Sequence, residues 1–380
     1  MTRLLSALLL ILPQASPPAP ELPRGQVVPK VVCAAAPDRG YSLYLPASYR
    51  PDRPWPIVYA FDSRGIDNGR DMIELFKEGA ERFGFVVASS SDSSAVVPME
   101  ENFRSLGAMW TDTHARLAID DRRVYGYGFS GMARFVLTAA VKAPGTIAGV
   151  ISASGGYPLA HRPSSETPFP FFAVVGERDF NYYELLDTDA RLAALGIPHR
   201  IEVYDGSHQW PPEGLVTQAL GWIALQEMKR GTRERSPALI EALWAEDLAR
   251  ARALEDAGRL WRAWRVYKAM AADFEGLKDT GEIKEKIATL EASEALKRDL
   301  REREARDRRD RGYLERIPRF FSAAGPEVRP DSLSQLLSDL EVPDLKTREK
   351  SQDPEERLAA QRLLYAVYIQ TGLYLPRAAM

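Results

Sequence analysis

Between residues 27 and 228 short runs of β-branched, aromatic and small apolar residues alternate with stretches whose apolar positions recur at helical spacing. The runs at 41–45, 57–61, 85–89, 124–127, 148–152, 171–175 and 199–204 predict strands, and several are apolar almost throughout, as strands covered on both faces should be. The stretches at 72–83, 103–117, 132–142, 181–195 and 212–228 predict the helices between them. Strands alternating with helices in this way predict an α/β fold, a mostly parallel sheet flanked by helices.

After Lys229-Arg230-Gly231-Thr232 the pattern changes: β-type runs disappear and Ala, Leu, Glu and Arg dominate. A smaller all-α region over 231–380 is expected to follow a sheet domain over 24–230. Within 242–272 Gly258 sits at a turn, and Leu260, Ala263, Tyr267 and Met270 step along a second helix. That spacing resembles one tetratricopeptide-like helix pair, and it fits an ordinary helical hairpin equally well. One such pair cannot bury its own apolar face, so it needs neighbouring helices or a docking surface on the sheet domain. Residues 291–315 are crowded with both signs of charge, which predicts a solvated helix or arm. Pairs at i,i+4 spacing add only about 0.2–0.5 kcal/mol each. A loop with a short helix at 333–340 and a final helix at 354–369 complete the chain, the last with Leu363, Leu364, Val367 and Tyr368 as its packing face.

With 380 residues, 45% of them hydrophobic, the chain is long enough for two packed units. A net charge of -3 leaves no basic footprint for nucleic acid or an anionic membrane surface. The chain opens on Met-Thr-Arg, an apolar run from Leu4 to Leu12 and a Pro-rich stretch to Pro23. That is the grammar of a secretory signal peptide cut near Ala15 to Ala19, and the run is too short to span a bilayer. An exported protein, periplasmic or extracellular and without a stable membrane span, is therefore expected; a frayed apolar N-terminus of a cytoplasmic protein is the competing reading. Cys33 is the sole cysteine, which rules out an intrachain disulfide, and its apolar surroundings predict a buried structural thiol.

The chemistry concentrates in Gly128-Phe129-Ser130-Gly131-Met132, a turn between a predicted strand and a predicted helix. The turn resembles the GxSxG nucleophile elbow of α/β-hydrolases, with Met132 standing where the pattern has its last glycine. That fold requires an acid and then a histidine further along the chain. Asp179 follows the strand at 171–175, and His208 lies in the turn after the strand at 199–204. Sheets of this type place their sites at these C-terminal strand ends. A serine hydroxyl needs a base to accept its proton, and the base needs a carboxylate to hold its tautomer. Only His208 among the four histidines meets both order and position: His114 precedes the elbow within a helix, His161 precedes the acid, and His199 begins a strand. Glu177 and Asp187 compete locally with Asp179, and Asp179 itself could cap the next helix. Ser154 also precedes glycines after a strand, but Tyr157-Pro158 opens no helix there, so it is expected to line the pocket. The oxyanion donors are expected to be the backbone N–H groups of Gly131 and Ser63. Asp62 would repel an oxyanion unless it points away or pairs with Arg64. Trp110, Ser154, Tyr157, Phe180 and Trp210 are the candidate pocket residues.

With Tyr41-Ser42-Leu43-Tyr44-Leu45-Pro46, the elbow, and Gly206-Ser207-His208-Gln209-Trp210-Pro211, residues 27–228 resemble secreted esterases related to polyhydroxybutyrate depolymerases, feruloyl esterases and dienelactone-hydrolase-like proteins. The resemblance implies hydrolysis of a small or polymeric ester through an acyl-enzyme, with neither cofactor nor metal. A serine peptidase of the prolyl-oligopeptidase type uses the same triad. Met132, Asp62 and the helical tail leave open a third reading, a weakened hydrolase fold that binds a protein partner through its C-terminal helices.

Overall fold

The computed structural model describes residues 22–64, 69–166, 168–324 and 337–374. The expected signal peptide and residues 333–336 of the short helix expected at 333–340 lie outside these residues, and 337–339 are helical. Eight strands form one sheet: β1 (Val27–Cys33), β2 (Ala36–Tyr44), β3 (Trp55–Phe61), β4 (Val86–Ser90), β5 (Ile119–Phe129), β6 (Gly149–Ala153), β7 (Phe171–Gly176) and β8 (His199–Tyr204). Their spatial order is β1-β2-β4-β3-β5-β6-β7-β8. β2 is antiparallel to both its neighbours and β3 to β8 are parallel, so the C-terminal ends of β5, β7 and β8 lie along one edge. This strand order, with a strand–turn–helix at β5, is the α/β-hydrolase arrangement.

The first five helices are α1 (Gly69–Phe83), α2 (Met99–Arg116), α3 (Gly131–Lys142), α4 (Tyr182–Ala194) and α5 (Glu213–Arg230). Apolar positions of α1 and α5 pack on one face of the sheet, where Phe76, Tyr127 and Trp222 are fully buried. α2, α3 and α4 cover the other face around Phe61, Phe135 and Tyr182. The side-chain alternation of β5 divides between the two: Tyr125, Tyr127 and Phe129 belong to the first core and Val124 to the second.

Cys33 ends β1 and is 1% exposed. Burial and the Asp112 carboxylate push its thiol up to about 11. The native protein at pH 7.5 should therefore leave an aromatic disulfide reagent almost unconsumed over minutes and react with one equivalent after unfolding. Rapid reaction of the native protein would contradict the burial.

Among the described residues the helices with assigned bounds that follow are α6 (Pro237–Asp256), α7 (Leu260–Asp273), α8 (Gly281–Ala292), α9 (Glu294–Ala324), α10 (Val342–Arg348) and α11 (Pro354–Tyr374). α6 starts on a Ser236 cap whose hydroxyl accepts the Leu239 N–H at 3.3 Å. The turn to α7 is made at Gly258, whose φ of +72° suits glycine. This pair buries its apolar face on the sheet domain: Leu243, Trp261, Val266 and Met270 continue the α1–α5 core through Trp222 and Met228. A buried charge cluster ties the same junction. Arg200 of β8, its side chain 3% exposed, reaches Glu202 at 2.7 Å, Asp247 of α6 at 2.7 Å and Asp273 of α7 at 3.1 Å.

Two expectations for the tail are corrected. The charged segment at 291–315 is neither an arm nor a wholly solvated helix, because α9 buries Leu296, Asp310, Tyr313 and Ile317 along one side. Asp310 is accommodated there by accepting the Tyr183 hydroxyl at 2.7 Å and facing Arg362 at 4.0 Å. In α11, Leu363 and Val367 pack as expected with Tyr313, Ile317 and Leu345, but Tyr368 is 64% exposed. Among the described residues no helix is long and apolar enough to cross a membrane.

Candidate active site

β5 ends at Phe129 and α3 begins at Gly131, so Ser130 alone makes the reversal, with φ 56° and ψ −119°. A side chain held at positive φ costs of order 1–3 kcal/mol, which the surroundings must supply. They do so by close packing. A Cβ on Gly128 would lie 2.3 Å from the Met132 carbonyl oxygen, and one on Gly131 would lie 2.9 Å from the Ala95 Cβ. The Ser130 N–H is held by the Ala153 carbonyl at 2.8 Å. Met132, the departure from the elbow pattern, is buried in the core between the sheet and α3 and leaves the turn intact.

Asp179 and His208 converge on this serine because the β7–β8 pairing continues past the strands. Glu177 N–H donates to the Tyr204 carbonyl and Arg178 N–H to that of Gly206, both at 2.9 Å, which keeps the two loops side by side. His208 Nε2 lies 2.8 Å from Ser130 Oγ, and Nδ1 lies 3.0 Å and 3.1 Å from the two Asp179 oxygens. A carboxylate only accepts, so Nδ1 carries the proton and Nε2 is left to accept the Ser130 hydroxyl. The Asp179 carboxylate has no solvent exposure and takes a further bond from the Asn181 N–H at 2.8 Å. Thus the cap-like bond expected as a rival role for Asp179 coexists with its bond to His208. Phe129 and Phe180 flank the imidazole at ring separations of 5.0 and 4.4 Å.

The loop after β3 borders the elbow, and here the Ser63 side chain has a part separate from the oxyanion donation expected of its N–H. Ser63 Oγ accepts the Met132 N–H at 2.9 Å and donates to the Phe129 carbonyl, clamping the loop to both sides of the nucleophile. The first N–H groups of a helix lack intrahelical acceptors. With that of Met132 taken by Ser63 and that of Ala133 by the Ser130 carbonyl at 3.1 Å, Gly131 N–H remains as the first-turn donor. Asp62 is buried and paired: its oxygens accept from Arg64 Nε at 3.3 Å and Trp210 Nε1 at 3.0 Å, and the Arg64 guanidinium stacks 3.5 Å over the Trp210 ring. Its charge is thus compensated locally.

Of the expected pocket residues, Phe180 lies against His208, and Trp210 joins Asp62 and Arg64 beside the elbow loop. Ser154 is buried next to the elbow, also at positive φ (56°), and its carbonyl accepts from Asn181 Nδ2 at 2.7 Å. Two others are not brought to the triad. Trp110 stacks on Tyr59 and His114 within the α2–sheet contact. Tyr157 packs on Phe169 and on Phe171, at the opposite end of β7. Aromatic side chains of this size serve a core as readily as a pocket, and sequence spacing does not distinguish the two. Sequence reasoning also missed Tyr365 of α11, whose ring lies 5.4 Å from Phe180 and 6.3 Å from His208. Among the described residues no group of three or more His, Cys, Asp or Glu side chains could hold a metal ion.

No family model matches this chain, and no curated protein matches it either. Solved structures of similar fold include an S-formylglutathione hydrolase from Staphylococcus aureus, 12% identical over 49% of this chain and 90% of that one, with a TM-score of 0.41. A feruloyl esterase module from Clostridium thermocellum is 15% identical over 51% of this chain and 86% of its own, with a TM-score of 0.40. An esterase from Pyrobaculum calidifontis is 13% identical over 54% and 87%, with a TM-score of 0.43. The strand order and elbow of this chain, rather than these alignments, define its fold.

Proposed function

We propose that the protein is an exported serine hydrolase that cleaves carboxylic esters through an acyl-enzyme, with Ser130 as nucleophile, His208 as general base and acid, and Asp179 as its orienting carboxylate. The observation that carries this reading is the imidazole bonded at both ends, to Ser130 Oγ and to the buried Asp179. Ser130 Oγ attacks the ester carbonyl as His208 Nε2 takes its proton, and the Asp179 carboxylate stabilises the imidazolium. The carbonyl oxygen becomes an oxyanion beside Gly131 N–H, with the Ser63 N–H as the proposed second donor; one such donor is typically worth about 2.7–4 kcal/mol. The imidazolium then protonates the departing alcohol oxygen. Water, deprotonated by the same nitrogen, releases the acid and restores the serine. Export is supported by the basic start and short apolar run of the first residues.

A fluorophosphonate reagent tests the assignment directly, because it needs an activated serine and leaves a stable phosphonyl adduct. One adduct per folded chain is expected, mapped by peptide mass spectrometry to Ser130 and lost when the protein is heat-denatured first. Failure to label, or labelling at another serine, would reject the proposal.

A further inference from the structure

α11 belongs to the helical tail, outside the segment that resembles esterases, yet it comes to rest on the loop carrying the triad acid. Arg362 anchors it there. Its Nη1 donates to the Glu177 carbonyl at 2.6 Å, two residues before Asp179, and its Nη2 to the Tyr183 hydroxyl at 3.2 Å. The guanidinium also lies 4.4 Å over the Tyr182 ring. Leu363 and Val367 fix the buried side of the helix. One turn beyond Arg362, on the same face, stands Tyr365, and Tyr368 follows at the same spacing. Tyr365 meets Phe180 edge-on at 5.4 Å and the imidazole at 6.3 Å, while Tyr368 stacks on it at 6.3 Å with most of its surface exposed. Burial and the nearby Asp179 carboxylate raise the Tyr365 phenol above its ordinary value. A row of rings therefore runs from His208 through Phe180 and Tyr365 to solvent.

The chemistry says which part of a substrate this row meets. In acylation His208 hands its proton to the alcohol oxygen, so the leaving group must lie against the imidazole, whereas the acyl group stays on Ser130. We propose, on the basis of the hydrolase reading above, that α11 forms the wall of the leaving-group side and that Tyr365 is a specificity-determining residue favouring esters of aromatic alcohols.

Benzyl acetate and ethyl acetate test this, because both pass through the same acetyl-enzyme and differ only in the alcohol. In the full-length chain Tyr365→Ala should lower the ratio of kcat/KM for benzyl over ethyl acetate by roughly five- to tenfold, the scale of one aromatic contact. Tyr365→Phe should keep the wild-type ratio. Breakdown of the acetyl-enzyme should be unchanged in both, since the alcohol has already left. Tyr365→Leu retains bulk against Phe180 and carries the same test where the alanine variant does not fold. An unchanged ratio in a variant that still takes the fluorophosphonate label would overturn the inference and leave the hydrolase reading standing. So would an altered preference among ethyl esters of different acyl length, which would put the ring on the acyl side. A wild type that neither labels nor turns over either ester would remove the hydrolase reading and this inference with it.

Discussion

Ser130→Ala should lower kcat on a chromogenic ester by about 10⁶-fold, and His208→Ala should cost nearly as much, because nucleophile and base act as a unit. The double variant should be scarcely worse than either single one. Asp179→Asn should cost about 10⁴-fold, since an amide in place of the carboxylate can offer Nδ1 a donor and favour the wrong tautomer of His208. The geometry makes these numbers a strict test: the serine meets the base at 2.8 Å and the base meets the acid at 3.0 Å, so each link is already formed in the resting site. Thermal unfolding of Ser130→Ala should move little. The substitution removes one hydroxyl and keeps the Ser130 N–H bond to Ala153 that holds the elbow. Rates at substrate saturation are the measurement to make. A loss below a hundredfold, or penalties of Ser130 and His208 that multiply, would mean that the three side chains do not operate together.

Among the seven strands read from the sequence, β3, β4, β6 and β7 are buried along their whole length, because there hydrophobicity is almost unbroken and local composition reports the environment directly. β1 escaped notice for the complementary reason. It is an edge strand paired only with β2, it is interrupted by Pro29 and Lys30, and half of it faces outward. The convergence of Ser130, Asp179 and His208 was legible because each follows a strand in a fixed order, which is a property of chain direction and not of side-chain contact. The Ser63 clamp was not legible, since nothing local distinguishes a hydroxyl that ties two loops from one in water.

The tail shows the same limit more sharply. A window of residues such as 291–315 registers charge as a solvent-facing property, whereas Asp310 is fully buried and, besides its neighbour Arg309, meets Tyr183 of α4, Arg348 of α10 and Arg362 of α11. Long-range compensation of that kind leaves no periodic trace. Likewise the helical stripe of α11 identified Leu363 and Val367 as packing residues but could not reveal that the next face meets a histidine from another part of the chain. The failed pocket residues, Trp110 and Tyr157, err in the other direction: both are aromatic, and both pack against aromatic partners of the sheet.

Arg200→Met should destabilise the fold by about 3–5 kcal/mol at pH 7.5, the penalty for leaving buried opposite charges without their partner. Arg200 joins β8 to α6 and α7 by bonds to Glu202, to both oxygens of Asp247 and to Asp273. In its absence Arg250 still serves Glu202 and Asp247, at 2.5 and 3.2 Å. Among the described residues Asp273 would keep as a hydrogen bond only that from the Trp222 indole N–H at 2.7 Å. The cost therefore concentrates on Asp273, and combining Arg200→Met with Asp273→Asn should be less damaging than Arg200→Met alone, by about 1–2 kcal/mol. The pH dependence points the same way. Burial pushes the Asp273 carboxyl up to about 6 even with Arg200 present. Between the ordinary carboxyl range and that value the folded state binds more protons than the unfolded one, so this group's contribution to stability rises as pH falls through the window. Urea unfolding at pH 7.5 and 5.5 should accordingly show a smaller penalty for Arg200→Met at the lower pH. A loss under 1 kcal/mol at pH 7.5, or an Asp273→Asn substitution that deepens the damage, would show that packing of Trp222, Trp261 and their neighbours holds the tail to the sheet without help from this charge cluster.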